Sequence, residues 1–145
     1  MKTLTAAVLI GLASMMPAAD AAGPTTVTGE LALKLTITIV SSIATSTSIQ
    51  CGLNATVSGS SPAGQHDSIN ETDTVNATRS GKTAVCQLAI PYQWILYGAG
   101  DTVGLSYSIS AQNGPSSGRY SSVSFETIAA PKNGATTSYA LKARI

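Results

Sequence analysis

Charge is scarce in this chain. Asp, Glu, Lys and Arg make up 10% of its 145 residues, against about 25% in an average soluble domain. Eight Lys and Arg against seven Asp and Glu leave a net charge of +1, which excludes an electrostatic nucleic-acid binder with its concentrated basic patch. Aromatics are few (5%, with one Trp and one Phe), and there are two Cys and one His. A single His with two distant Cys cannot complete a zinc site of the usual kind. No apolar run reaches the roughly 20 residues that a membrane-spanning helix needs. Helical periodicity is absent after the first 21 residues. What is abundant is small and uncharged: Ser and Thr supply roughly a quarter of the chain, and hydrophobic content is 43%. The length suits one domain with one core.

Residues 1–21, MKTLTAAVLIGLASMMPAADA, have the make-up of an export leader. Lys2 supplies the positive start, Leu4 to Met16 the short apolar run, and Pro17 a helix break. Ala19-Asp20-Ala21 then offers the small-x-small pattern that a signal peptidase accepts. The expectation is a cleaved signal peptide at 1–21 and a single domain at 22–145, secreted, periplasmic or at the cell surface, with no membrane span in the mature chain.

Beyond residue 24 apolar and polar residues alternate, the mark of strands with one buried face. Leu31, Leu33, Leu35, Ile37 and Ile39 share one phase. Ile49, Cys51, Leu53, Ala55 and Val57 share another, as do Cys86, Leu88, Ile90, Tyr92 and Trp94. Val103, Leu105, Tyr107 and Ile109 follow, and Tyr139, Leu141, Ala143 and Ile145 close the chain. Residues 72–79 and 120–129 are less regular candidates. Turn chemistry separates the runs, as at Ser80-Gly81, Gly98-Ala99-Gly100-Asp101, Asn113-Gly114-Pro115 and Lys132-Asn133-Gly134. Pro91, inside one run, places that strand at an edge or a bulge. The pattern predicts an all-β protein, an immunoglobulin-like two-sheet antiparallel sandwich of about seven strands.

Cys51 and Cys86 are each in phase with core residues, so both thiols point into one interior. In an exported chain a disulfide follows. It closes a loop of about 36 residues, worth about 4 kcal/mol by chain entropy. By strand count it joins the second and fourth runs, unlike the second-to-sixth bridge of antibody domains.

Residues suited to chemistry are sparse and scattered. His66 lies in the polar stretch Gly64-Gln65-His66-Asp67-Ser68, which reads as an exposed loop, and no Gly-x-Ser-x-Gly elbow accompanies it. Asp67, Glu71 and Asp73 are close in sequence but do not follow calcium-loop spacing. Asn54, Asn70 and Asn76 each begin an Asn-x-Thr triplet, a glycosylation acceptor only in a host that glycosylates. Tyr97, out of phase beside a Gly-rich turn, is a candidate for stacking on a sugar. No catalytic residue, metal site or cofactor is expected.

The first run carries the most information. Thr28-Gly29-Glu30-Leu31-Ala32-Leu33-Lys34-Leu35-Thr36-Ile37-Thr38-Ile39 follows closely on the leader and holds its apolar residues in strict register. It resembles the N-terminal extension of pilins assembled by the chaperone–usher route, and secreted proteins of the spore-coat-U type. In those families such a strand inserts into a groove on the neighbouring subunit, by β-strand addition. The early in-phase Cys51, its pairing with Cys86 and the alternating strand that ends at Ile145 extend the likeness, while Arg144 stands where many pilins carry an aromatic. The resemblance implies a pilin-like sandwich, residues 24–40 as donor strand, Leu31, Leu33, Leu35, Ile37 and Ile39 as its contacts, and self-assembly through strand exchange with a periplasmic chaperone and usher in a fimbria or coat. Without it, the same run is the first strand of a self-sufficient sandwich. The protein is then a monomeric binding module for carbohydrate or a protein, acting through loops near 59–73 and 112–119.

Overall fold

A computed structural model describes residues 23–60, 66–98, 100–112, 118–129 and 131–145. The leader at 1–21 and parts of the two expected binding loops, 61–65 and 113–117, lie outside the described residues. The described chain is all β, with eight strands: β1 Thr25–Thr38, β2 Ser48–Ser60, β3 His66–Asn76, β4 Thr78–Ser80, β5 Thr83–Leu96, β6 Thr102–Gln112, β7 Gly118–Ala129 and β8 Ala135–Arg144. Two four-stranded sheets, β4-β5-β1-β8 and β3-β2-β6-β7, face each other. No helix among the described residues is long and apolar enough to cross a membrane.

Alternation dictates the packing. Leu31, Leu33, Leu35 and Ile37 of β1 are buried, as are Cys86, Leu88, Ile90, Tyr92 and Trp94 of β5. From the other sheet come Cys51, Leu53, Ala55 and Val57 of β2, with Val103, Leu105, Tyr107 and Ile109 of β6. Cys51 and Cys86 are bonded, with Cα atoms 6.3 Å apart, so the bridge ties the two sheets together. The bridge is compatible with an extracellular or periplasmic location. Trp94 is fully buried and stacks on Tyr92 with ring centroids 4.0 Å apart.

Four features differ from the sequence expectation. The irregular region at 72–79 contains the end of one strand, β3, and most of another, β4, separated at Ala77, so the bridge joins β2 to the fifth strand. His66, Asp67, Glu71 and Asp73 therefore lie on a strand, not in a loop. Glu71 and Asp73 pair with Ala55 and Leu53, on the inward side of an edge strand, which is why no apolar alternation announced it. Finally, the sandwich is not wholly antiparallel. β1 is antiparallel to β5 but parallel to β8. The turn before β8 explains this: Gly134, at φ 74°, donates its N–H to the Thr28 carbonyl at 2.7 Å, and the Asn133 side chain accepts from the Thr28 N–H at 2.9 Å. β8 is thereby launched from the end at which β1 begins.

The β5–β6 turn is held by a buried acid. Asp101 is 4% exposed, and its carboxylate accepts the Tyr97 N–H at 2.6 Å. Gly59 makes room, since a Cβ there would overlap that carboxylate. Tyr97 is thus fixed through its backbone at the turn. Replacing Asp101 with Ala leaves a half-buried donor unpaired, and a loss of about 1–3 kcal/mol in urea unfolding is expected.

Candidate functional site: the β1 groove

β1 is the first strand among the described residues and yet an interior strand of its sheet, between β5 and β8. Fourteen residue pairs join it to β5, from Thr25↔Leu96 to Thr38↔Thr83, and ten join it to β8. All five residues expected to act as donor contacts are at most 2% exposed. Here they fill the sandwich of their own chain.

The register is set by size. On the buried face Val27 lies opposite Trp94, Gly29 opposite Tyr92, Leu31 opposite Ile90, Leu33 opposite Leu88, Leu35 opposite Cys86 and Ile37 opposite Ala84. The largest side chains of β5 thus meet the smallest of β1. A Cβ at position 29 would overlap the Tyr92 hydroxyl and the Ala135 carbonyl. Shifting β1 by two residues toward its N-terminal side drives Leu31 onto Tyr92, and the opposite shift drives Val27 there, so Gly29 and Tyr92 form a notch and a key that permit one register. Burial raises the Tyr92 phenol above its ordinary value. The Tyr139 phenol on β8 is raised by burial first and by the Glu126 carboxylate second.

The strands around β1 depend on it unequally. β5 keeps β4 and the bridge to β2 if β1 is absent. β8 has no other paired strand among the described residues, and an edge-on contact of Phe125 with Tyr139, centroids 5.3 Å apart, links it to β7. β1 is therefore the keystone of its sheet.

The link from β1 to the opposite sheet, residues 39–47, is short and pinned. Ile39, Ile43 and Thr47 are buried. Arg79 of β4 donates from Nη1 to the carbonyls of Ala44 at 2.8 Å and Thr47 at 3.0 Å, and from Nε to Gly81 at 3.2 Å. This clamp joins residues more than 30 positions apart, and nothing in the local sequence around Arg79 announced it.

The other candidates are not brought together. The Asn-x-Thr sites Asn54, Asn70 and Asn76 all lie on β2 or β3, and Asn70 Oδ1 accepts the Thr56 hydroxyl at 2.7 Å. Asp73 is occupied: its Oδ2 accepts the Ala89 N–H at 2.8 Å. Among the described residues no cluster of three or more His, Cys, Asp or Glu could hold a metal ion. No family model matches the chain, nor does any curated protein or solved structure.

Proposed function

We propose that this protein is an exported, non-catalytic structural subunit of a cell-surface filament or coat, joined to its neighbours by exchange of β1. The observation that carries this reading is topological. Once the expected leader is removed after Ala21, only three residues precede this interior strand, so it can leave its groove and enter another without threading the polypeptide. The invading strand meets backbone partners on both sides and pockets for alternate side chains, the requirements of β-strand addition. The Gly29–Tyr92 notch gives the exchanged strand one register. A groove without β1 leaves β8 unpaired, which accounts for the need for a chaperone and usher that the family resemblance implies.

In this reading the cis-closed molecule is the stored form and residues 39–47 are the hinge. The Arg79 clamp holds the hinge bent. Mature protein concentrated and then run in SDS without heating is expected to give a ladder of multiples of the subunit mass, and Arg79→Ala to raise the yield of multimers several-fold. A single monomer band in both proteins, with no ladder at any concentration, overturns strand exchange. That result favours the monomeric binding module, which the complete pairing of β1 within one chain also supports.

A further inference from the structure

The two lateral sides of the sandwich are finished differently. On one side the free edge of β5 beyond β4 is blunted. Asp73 caps the Ala89 N–H, and Pro91, two residues on and facing the same way, has no N–H to offer. Inward-pointing Glu71 and Asp73 guard the neighbouring edge of β3. Among the described residues, the opposite side, between β7 and β8, has no proline on either strand and no carboxylate cap on β8. Ile145 exchanges hydrogen bonds with Thr38 and Val40, so the odd-numbered residues of β8 face β1. The backbone groups of Thr136, Ser138, Ala140, Lys142 and Arg144 therefore point away from β1 along an open edge. Beneath that edge Tyr139, Leu141 and Phe125 are only half-buried, and Val123 is 40% exposed.

We propose that this edge pairs with the same edge of a second copy, β8 antiparallel to β8 about a two-fold axis at Ala140. The occupant is argued from the strand itself. Antiparallel pairing about Ala140 uses the whole span 136–144. It sets Ser138 opposite the second copy's Lys142, and Thr136 opposite the second copy's Arg144, so no like charges stand face to face. On the buried side Tyr139 meets the second copy's Leu141, covering the half-exposed apolar groups of each.

The outer face adds charge complementarity. Glu30 of β1 lies beside Thr136 in the β1–β8 register. The second copy's Arg144 then stands two strand spacings from Glu30, about 10 Å, and the two extended side chains reach each other over the small Thr136. Symmetry makes two such pairs. The result is a continuous eight-stranded sheet across the dimer, through an isologous contact that meets β1 only at Glu30 on its outer face and leaves the groove on its inner face closed. It is therefore a lateral contact, independent of β1 exchange.

The test is sedimentation equilibrium on the mature full-length protein, with two variants on the axis. Ala140→Pro removes an N–H that faces the open edge and takes no part in the β1 ladder. Ala140→Lys keeps that N–H but sets two like charges opposite each other. Wild-type protein is expected to form a concentration-dependent dimer that SDS dissociates. Both variants are expected to weaken it about 10- to 100-fold, while the monomer still unfolds cooperatively, Ala140→Lys at a slightly lower midpoint because Lys34 of the same chain stands beside it. A wild-type protein monomeric at every concentration, or a dimer that survives both substitutions, overturns the proposal. SDS-resistant multimers in the same samples report β1 exchange, so the two readings fail separately.

Discussion

A chain lacking residues 22–40 is expected to lose cooperative unfolding and near-ultraviolet circular dichroism, and to regain both when a peptide spanning residues 25–39 is added. The size of the loss follows from burial. Leu31, Leu33, Leu35, Ile37 and Ile39 are at most 2% exposed, and fully burying such side chains is worth about 1.5–3 kcal/mol each. Their combined contribution rivals the whole stability of a typical domain, about 5–15 kcal/mol. The hydrogen bonds of β1 to two neighbours go with it, and β8 loses its only paired strand among the described residues. Rescue by the peptide distinguishes an exchangeable strand from an ordinary one. A peptide carrying Gly29→Val should fail, because the added side chain occupies the space of the Tyr92 ring, and Leu33→Asp should fail by burying a charge. A truncated chain that folds unaided, or one that no peptide restores, overturns the donor role of β1.

Period-two alternation was enough to locate β1, β2, β5, β6 and β8, because each buries one face and leaves the other polar. The same phase placed Cys51 and Cys86 in one interior. Of β3 only the end, within 72–79, was legible, because two of its inward positions are Glu71 and Asp73, which guard an edge and so break the apolar pattern. The phase of β7 was blurred by a bulge at Phe125, opposite Leu105 and Ser106, which puts Ile128 out of alternation with Val123 and Phe125, and Phe125 rests against Tyr107 and Tyr139. Local sequence has no term for the direction of pairing between β1 and β8, which the Asn133–Gly134 turn decides through its bonds to Thr28. Nor does it encode in any short motif the Arg79 clamp, which reaches more than 30 positions along the chain, or the burial of Asp101 against Gly59 of β2. The five apolar residues of the first run, four on β1 and Ile39 just beyond it, were readable as a buried row. Their interior place in the sheet, on which the exchange reading depends, needed the three-dimensional pairing.

Replacing both Cys51 and Cys86 with Ala is expected to lower stability in urea by about 2–5 kcal/mol, and to have a larger effect still on acceptance of the β1 peptide. The two sulfurs lie 35 positions apart in sequence, on β2 and β5, in opposite sheets. In the closed protein β5 is also held by its long ladder with β1, so the bridge shares its work with many contacts. Once β1 is removed, β5 is left with the short β4, its packing on β2 and β3, the Asp73 cap and the bridge. The covalent tie then keeps one wall of the groove at its working distance from the opposite sheet. Cys86 lies directly opposite Leu35, so losing the bridge loosens the pocket at the centre of the peptide's path. The truncated chain with both substitutions should therefore bind the peptide at least about 10-fold more weakly than the truncated chain alone, a difference of about 1.4 kcal/mol. Isothermal titration of the two chains with the same peptide measures it. Equal affinities would mean that packing alone sets the spacing of the sheets around β1, and that the bridge serves stability without shaping the groove.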